Sequence, residues 1–303
     1  MNFDSFKSLT DAAKAASDKA RLAVVNAQDE HTLESIIEAT ANGLIAPILI
    51  GDEAKIKELL TKFKASPSDY RIVHQATAEE SLRKAIGLIH AGEATAIMKG
   101  ALDTGMLMKA IVSKENKLNK GRKISLIGFF EIPRYPKMLA LTDMGINTYP
   151  DLDGKRDILL NAVETMNSLG FAEPKVALLA ATEILNPKMP ETVHADQLKK
   201  EWQAGSIKGC VIEGPISLDL ATSEASAKIK GYRSPVAGSA DLLMVPDIVS
   251  GNVLAKAITG LAGGSTAGLV IGAAVPVVLT SRSAEASDKY HSIALAAVAG
   301  QAR

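Results

Sequence analysis

The chain is poor in the residues that several common functions require. It has one cysteine, Cys210, so it can build neither an intramolecular disulfide nor a thiolate metal cluster. Cys210 sits in an apolar, strand-like run and reads as a small buried hydrophobe. Aromatic residues make up 4% of the 303 positions, which leaves few platforms for stacking bases. Neither sign of charge predominates. Lys and Arg number 34, as do Asp and Glu, and a formal net charge of zero gives no global field to gather nucleic acid. The expectation is a protein with no nucleic-acid partner. The five histidines, at 31, 74, 90, 194 and 291, are scattered without metal-ligand spacing, so no metal is expected.

Long apolar runs are also missing. No stretch reaches the ~20 residues needed to span a bilayer. The longest near-apolar segment, 269–279, is broken by Gly272 and Pro276. Residues 1–16 alternate polar and apolar positions at helical spacing and lack the apolar core of a signal peptide. A cytoplasmic protein without a membrane partner is expected. Two phosphate-binding fingerprints are absent as well. Met98-Lys99-Gly100-Ala101 is not a P-loop, and Gly263-Gly264-Ser265-Thr266 lacks the Gly-x-Gly-x-x-Gly of dinucleotide sites.

What is present is a regular alternation. Apolar content is 47%, ordinary for a globular protein. Short apolar runs predict strands at 22–25, 47–50, 71–74, 94–98, 124–130, 138–141, 176–180, 209–212, 242–245, 268–271 and 277–279. Segments of helical length lie between most of them, for example 33–41, 78–90, 157–169 and 253–261. This β-α order implies an α/β fold with parallel sheets covered by helices. The length suffices for two domains with cores of their own. With no repeat, low-complexity tract or long linker, composition marks no boundary between them.

The stretch Thr280-Ser281-Arg282, with Asp288 seven residues after the serine, carries the most chemistry. A short apolar strand precedes it. Tyr290, Ile293, Ala294, Ala297 and Val298 recur behind it at helical spacing. Ser281 and Arg282 therefore fall in a loop at a strand's carboxyl end, where open α/β sheets usually bind ligands. Taken singly, each residue also fits a blander role: a turn serine, a surface arginine, a helix-start carboxylate. Lys99-Gly100 follows another strand and precedes a helix rich in Met and Leu, a position suited to an anion. Thr142, Asp143 and Asn147 occupy a further strand-exit turn, which turn chemistry alone would explain. Ser234 and Gly238 flank a rigid Pro235-Val236-Ala237 loop. Two basic clusters, Lys117, Lys120, Arg122 and Lys123, and Lys228, Lys230 and Arg233, are either solvated faces or phosphate contacts.

Several of these stretches together resemble the phosphate acyltransferases, the phosphotransacetylase and phosphotransbutyrylase family. The Ser281-Arg282 and Asp288 spacing is similar to that family's carboxyl-terminal signature. Gly231-Tyr232-Arg233-Ser234-Pro235-Val236-Ala237-Gly238 resembles its Ser-Pro-Val-Ala-Gly loop. Val245-Pro246-Asp247-Ile248 with Ser250-Gly251-Asn252-Val253, and Thr142-Asp143-Met144-Gly145-Ile146-Asn147, resemble two further segments. Arg21-Leu22-Ala23-Val24-Val25 and Pro47-Ile48-Leu49-Ile50-Gly51 also fit, and the similarity keeps the family's order from about residue 20 to the end. Within the family, Asn186-Pro187-Lys188-Met189-Pro190 and Lys208-Gly209-Cys210-Val211-Ile212-Glu213-Gly214-Pro215 look like the butyryl branch, with the acetyl branch as the alternative.

The resemblance implies two α/β/α lobes with parallel-rich sheets and a cleft between them, as in isocitrate and isopropylmalate dehydrogenases. One lobe would take residues 1–128 plus 270–303, the other 129–269. It implies reversible transfer of a short acyl group between CoA and inorganic phosphate, with no cofactor beyond these substrates. Asp288 would take the thiol proton, Ser281 would hold the thiol or the tetrahedral centre, and Arg282 would meet phosphate and the oxyanion. Lys99, Gly100, Thr142, Asp143, Asn147 and Ser234 would contact substrate. A free thiol titrates near ~8.5, and a carboxylate held low by a helix dipole is a weak base for it, so the role requires desolvation of Asp288. No histidine stands near Ser281 in sequence, which favours direct thiol attack in a ternary complex over an acyl-serine. A homodimer or higher oligomer is implied too. The rival readings are a two-lobed decarboxylating dehydrogenase, which would need paired acidic metal ligands, and a non-catalytic acyl-CoA-binding module.

Overall fold

A computed structural model describes residues 3–280 and 285–301. The chain divides into two compact units. The amino-terminal unit holds Phe6–Gly121 and Ala267–Arg303; the central unit holds Met1–Ser5 and Arg122–Thr266.

The amino-terminal unit begins with α1 (Phe6–Ala15), β1 (Ala20–Val25), α2 (Glu30–Ala41), β2 (Ile45–Gly51) and α3 (Glu53–Lys62). It continues with β3 (Arg71–His74), α4 (Ala78–His90), β4 (Ala96–Lys99) and α5 (Thr104–Val112). The central unit follows with β5 (Ser125–Glu131), β6 (Leu139–Thr142), α6 (Leu152–Ser168), β7 (Lys175–Leu179), α7 (Pro190–Gln203) and β8 (Val211–Ile216). Two short helices, α8 (Leu218–Thr222) and α9 (Glu224–Ile229), precede β9 (Leu242–Met244) and α10 (Ile248–Gly260). The chain then runs through β10 (Ser265–Ile271) and returns to the amino-terminal unit for β11 (Val277–Val278) and α11 (Ala286–Gln301).

The predicted α/β class holds, and all eleven predicted strands are found within a few residues of the expected ends. Strand order is β3-β2-β1-β4-β11-β10 in the amino-terminal unit and β5-β6-β9-β7-β8 in the central one. β1 pairs in parallel with β2 and with β4, and β4 with β11. β6, β7, β8 and β9 are likewise parallel neighbours. Two pairs depart from the parallel rule: β5 with β6 and β10 with β11 are antiparallel. Their links, residues 132–138 and 272–276, are too short for the crossover that parallel pairing demands.

Burial explains the order. β1 lies inside its sheet, and Leu22, Ala23, Val24 and Val25 are at most 1% exposed. Each large side chain there contributes about 1.5–3 kcal/mol of transfer free energy. α11 packs against α1, α2 and β1, and every residue from Ser292 to Ala297 is buried. Its alanines permit that all-round contact, a closer enclosure than the one-faced spacing implied. The central core gathers Phe130, Leu141, Ala177, Ile216, Leu243 and Val245 from its five strands and the loop after β9, with Val236 of the Ser234 loop. Aspartates open α2, α3, α5, α6 and α10, each accepting first-turn N–H groups, and Thr77 with Glu80 forms a capping box on α4. No helix among the described residues is long and apolar enough to cross a membrane.

Cys210 is 3% exposed, and Trp202 Nε1 donates to its carbonyl at 2.8 Å. Burial pushes its thiol up to about 11, with Glu173 adding to the effect. The native protein is therefore expected to leave Ellman's reagent unreacted for hours at pH 8, and to release one equivalent of chromophore once unfolded in guanidinium. Rapid native labelling would overturn the buried placement.

Candidate functional site

In the amino-terminal unit, the carboxyl ends of β1, β4 and β11 open onto a pocket of about 610 Å³. Its wall includes Asp29 and His31 at the start of α2, Lys99 to Asp103 between β4 and α5, Thr280, and Lys289 of α11. The β4–α5 turn lies flat on the end of β1. Gly100 N–H donates to Val25 O at 2.9 Å and Ala101 N–H to Asn26 O at 2.8 Å. A Cβ on residue 100 would stand 2.4 Å from Asn26 O and 2.7 Å from Val25 O, so only glycine fits. Lys99, half-buried, leans over this turn, its Nζ 3.3 Å from Gly100 O.

Asp103 and Asp29 look acidic in sequence but are committed locally. Asp103 accepts Met106 N–H at 3.0 Å and Asp29 accepts Thr32 N–H at 2.8 Å, each capping its helix. Asp288 stands half-buried in the first turn of α11, as its spacing indicated. Ser292, one turn on, donates to Asp288 O at 2.7 Å and accepts Gly268 N–H at 3.0 Å, fixing the helix start against β10. Ser281 and Arg282 lie outside the described residues, directly after Thr280 of the pocket wall.

The other sequence-derived candidates belong to the central unit. Thr142 ends β6 and donates to Leu126 O at 2.9 Å. Asp143 is 3% exposed, and both its oxygens are occupied. One accepts Gly145 and Ile146 N–H at 2.9 and 3.1 Å; the other accepts the Asn147 N–H and side-chain amide at 3.1 and 2.6 Å. Burial raises this carboxyl above its ordinary pKa against the pull of those four bonds. Asn147 also donates to Ile124 O at 2.9 Å, and α10 presses on the turn so closely that a Cβ at Gly251 would stand 2.9 Å from Asp143 O. Thr142, Asp143 and Asn147 thus form one tightly bonded turn. Ser234 Oγ accepts Val236 N–H at 3.1 Å and sets a second, separate loop. Of the basic clusters, Arg122 is paired with Glu164 at 2.6 Å and Lys230 with Asp219 at 2.8 Å.

Two buried lysines stand outside the sequence-derived candidates. Lys289 is 8% exposed in the first pocket. Its signal was a cation in the first turn of a helix, where the dipole disfavours it. Lys155, 6% exposed, lines a small pocket with Glu191, Leu178, Leu179, Met244 and Val245 at the ends of β7 and β9. Burial holds its ammonium below the ordinary value, while Glu191 and Asp247 work the other way. His194 on α7 is also held below its ordinary value, by burial first and then by Lys155. Among the described residues, no three His, Cys, Asp or Glu side chains gather as a metal site.

Residues 56–297 match the family described as phosphate acetyl/butaryl transferase. The chain is 40% identical over 278 residues to the phosphate butyryltransferase of Clostridium acetobutylicum, covering 92% of each. It is 39% identical to the phosphate acetyltransferase of Thermotoga maritima, covering 92% of this chain and 94% of that one. Among solved structures it is similar to a branched-chain phosphotransacylase from Enterococcus faecalis V583, with a TM-score of 0.82 and 30% identity over 93% of this chain and 99% of the other. A 4-hydroxythreonine-4-phosphate dehydrogenase from Klebsiella pneumoniae shares the fold alone, with a TM-score of 0.57 and 14% identity over 94% of this chain and 100% of the other.

Two measurements check the central unit. Asp143→Asn turns an NH₂ toward two N–H donors and should cost about 2–3 kcal/mol of unfolding free energy; a loss below ~0.5 kcal/mol would mean the turn does not depend on the carboxylate. Lys155→Met removes a positive charge that disfavours imidazolium, so the His194 pKa, followed by NMR, should climb toward its ordinary value. An unmoved titration would separate the two side chains.

Proposed function

We propose a specific reaction for this chain on one established premise: it belongs to the phosphate acetyl/butaryl transferase family. Its activity is that of a phosphate acyltransferase, and the reading offered here is transfer of a butyryl group between CoA and inorganic phosphate. The observation that carries it is the pocket at the ends of β1, β4 and β11, where Lys99 and Thr280 share a wall and Ser281-Arg282 follow in the chain.

In the direction of acyl phosphate formation, a phosphate oxygen attacks the thioester carbon and the C–S bond breaks. Asp288 returns a proton to the departing thiolate. In reverse, Asp288 removes that proton, the sulfur attacks the acyl carbon of acyl phosphate, and the C–O bond breaks to release inorganic phosphate. Arg282 offsets the charge on phosphate and on the tetrahedral oxyanion, and Ser281 hydrogen-bonds the reacting centre. Lys99 and the backbone at Gly100 take the phosphate. Thr142, Asp143, Asn147 and Ser234 enter through the two turns they hold. The relatives named for butyryl and for acetyl transfer stand at nearly equal identity. The butyryl preference therefore rests on the Asn186-Pro187-Lys188-Met189-Pro190 stretch. Membership also supports a homodimer or higher oligomer, which light scattering at micromolar concentration would test.

The experiment is a thiol-release assay with acetyl-, butyryl- and longer acyl-CoA, with and without phosphate. CoA release should require phosphate and survive chelator. Butyryl-CoA should exceed acetyl-CoA in kcat/KM by roughly ten-fold or more, the scale of two methylenes in an apolar pocket. An equal or reversed ratio moves the reading to acetyl transfer, and a requirement for nicotinamide cofactor removes it altogether. Arg282→Ala should lower kcat by about 10²–10³ and raise KM for phosphate. Asp288→Asn should lower kcat by about 10²–10⁴ with little change in that KM, and recover rate as pH rises and the thiol ionises unaided. Near-normal kcat in Asp288→Asn at neutral pH would leave Asp288 as a helix-start residue only.

A further inference from the structure

The pocket holds a cation for which the proposed chemistry has given no role. Lys289 lies in the first turn of α11, is 8% exposed and lines the pocket with Lys99, His31 and Thr280. Among the described residues its ammonium has neither an ion pair nor a hydrogen bond. Glu285, four residues before Lys289 and just ahead of α11, is exposed, and among the described residues no ion pair joins the two side chains.

Three terms oppose a cation at that place. Burial strips the ammonium of water. The amino-terminal end of α11 carries partial positive charge of its own. Lys99 brings a second cation to the same wall. The two carboxylates in the wall offer little relief, because Asp29 and Asp103 are turned to the N–H groups of α2 and α5. All three costs fall when an anion enters. Surface lysines seldom discriminate, but a buried one facing a cavity of this size adds charge that water does not screen.

We infer that Lys289, with Lys99, binds a phosphoryl group in this pocket. The inference rests on the proposed reaction, whose substrates carry that group in two forms, inorganic phosphate and the phosphates of CoA. It adds a binding residue beside the base Asp288, on the same helical turn.

The test uses purified full-length protein, Lys289→Met and Lys289→Arg, in two arms. The first arm reads melting temperature without ligand, with inorganic phosphate, and with CoA. Without ligand, Lys289→Met should melt at or above the wild type, since an uncompensated buried charge is gone. The rise produced by phosphate should vanish in Lys289→Met and return in Lys289→Arg. The second arm reads KM. Lys289→Met should raise KM for phosphate by roughly ten- to a hundred-fold, the loss of one charge-assisted contact, and leave KM for acyl-CoA within about two-fold. If the CoA-induced rise and the acyl-CoA KM change instead, the phosphoryl group bound is that of CoA. A folded Lys289→Met that keeps both ligand-induced rises overturns the inference. So does a ligand-free melting point several degrees below the wild type, which would make the ammonium structural. The melting arm needs no turnover: a wild type that releases no CoA sinks the reaction, and the melts still decide Lys289.

Discussion

The candidate site depends on how closely the chain leaving β4 can approach the end of β1. Two backbone hydrogen bonds, Gly100 N–H to Val25 O and Ala101 N–H to Asn26 O, hold the two strand exits together. The approach leaves no room for a side chain at residue 100. The β1 side is fixed in turn. Asn26 sits at φ 57°, its amide donates to Ala101 O, and Gln28 donates to Asn26 Oδ1 at 2.7 Å. Gln28 Oε1 accepts Asp52 N–H at 3.2 Å, which carries the bracing on to the end of β2. Lys99 and Asp103 stand on either side of the pinned turn, so their positions follow from backbone contacts and not from side-chain packing.

A division of labour between the charge signs runs through both units. Carboxylates at strand exits build: Asp29, Asp52, Asp103, Asp151 and Asp247 cap helices, and Asp143 closes its own turn. Each meets N–H groups that would otherwise lack partners at a helix start or in a tight turn. Such carboxylates are held by local donors where they stand, which directs their oxygens to the helix start. The cations are placed differently. Lys289 reaches a pocket with no carboxylate partner among the described residues, although its position in a first helical turn is unfavourable. At the first pocket Asp29 and Asp103 face their own helix starts, while Lys289 faces the cavity.

The strands were legible because each is a short apolar run bounded by turn residues, and 71–74 coincides with β3. The segment 78–90 was equally plain as one of helical length between strands, and the structure adds a Thr77–Glu80 capping box at its start. The antiparallel pairs were not legible from periodicity, because strand direction is set by the length of the connection and both links are short. Burial was the other blind spot. Nothing in the composition of α11 separates a helix with one covered face from one enclosed all round, so the burial of Lys289 is a property of the fold. Lys155 was hidden for the same reason: only the fold brings α6 and α7 to the ends of β7 and β9. At 142–147 the motif was visible, whereas the saturation of Asp143 by four donors is a property of the folded turn. Ser281 and Arg282, the strongest signals in the sequence, lie outside the described residues.

The stretch behind the proposed butyryl preference has a local task of its own. Asn186 O accepts Met189 N–H at 2.8 Å, and Asn186 Oδ1 accepts Lys188 N–H at 3.0 Å, so the segment folds back on itself. Asn186 N–H donates to the hydroxyl of buried Thr192 at 3.0 Å, and that hydroxyl lies 2.8 Å from Met189 O. Pro190, with φ already set for a helix, then begins α7. These residues fix where α7 starts, and Arg156 holds its far end through two 2.6 Å bonds to Glu201. Both ends of α7 are thus tied to neighbouring structure, the first through Thr192 and the last through α6. Asn186, Thr192 and Pro190 therefore have a structural task, setting where α7 begins, that accounts for this stretch without any contact to an acyl group.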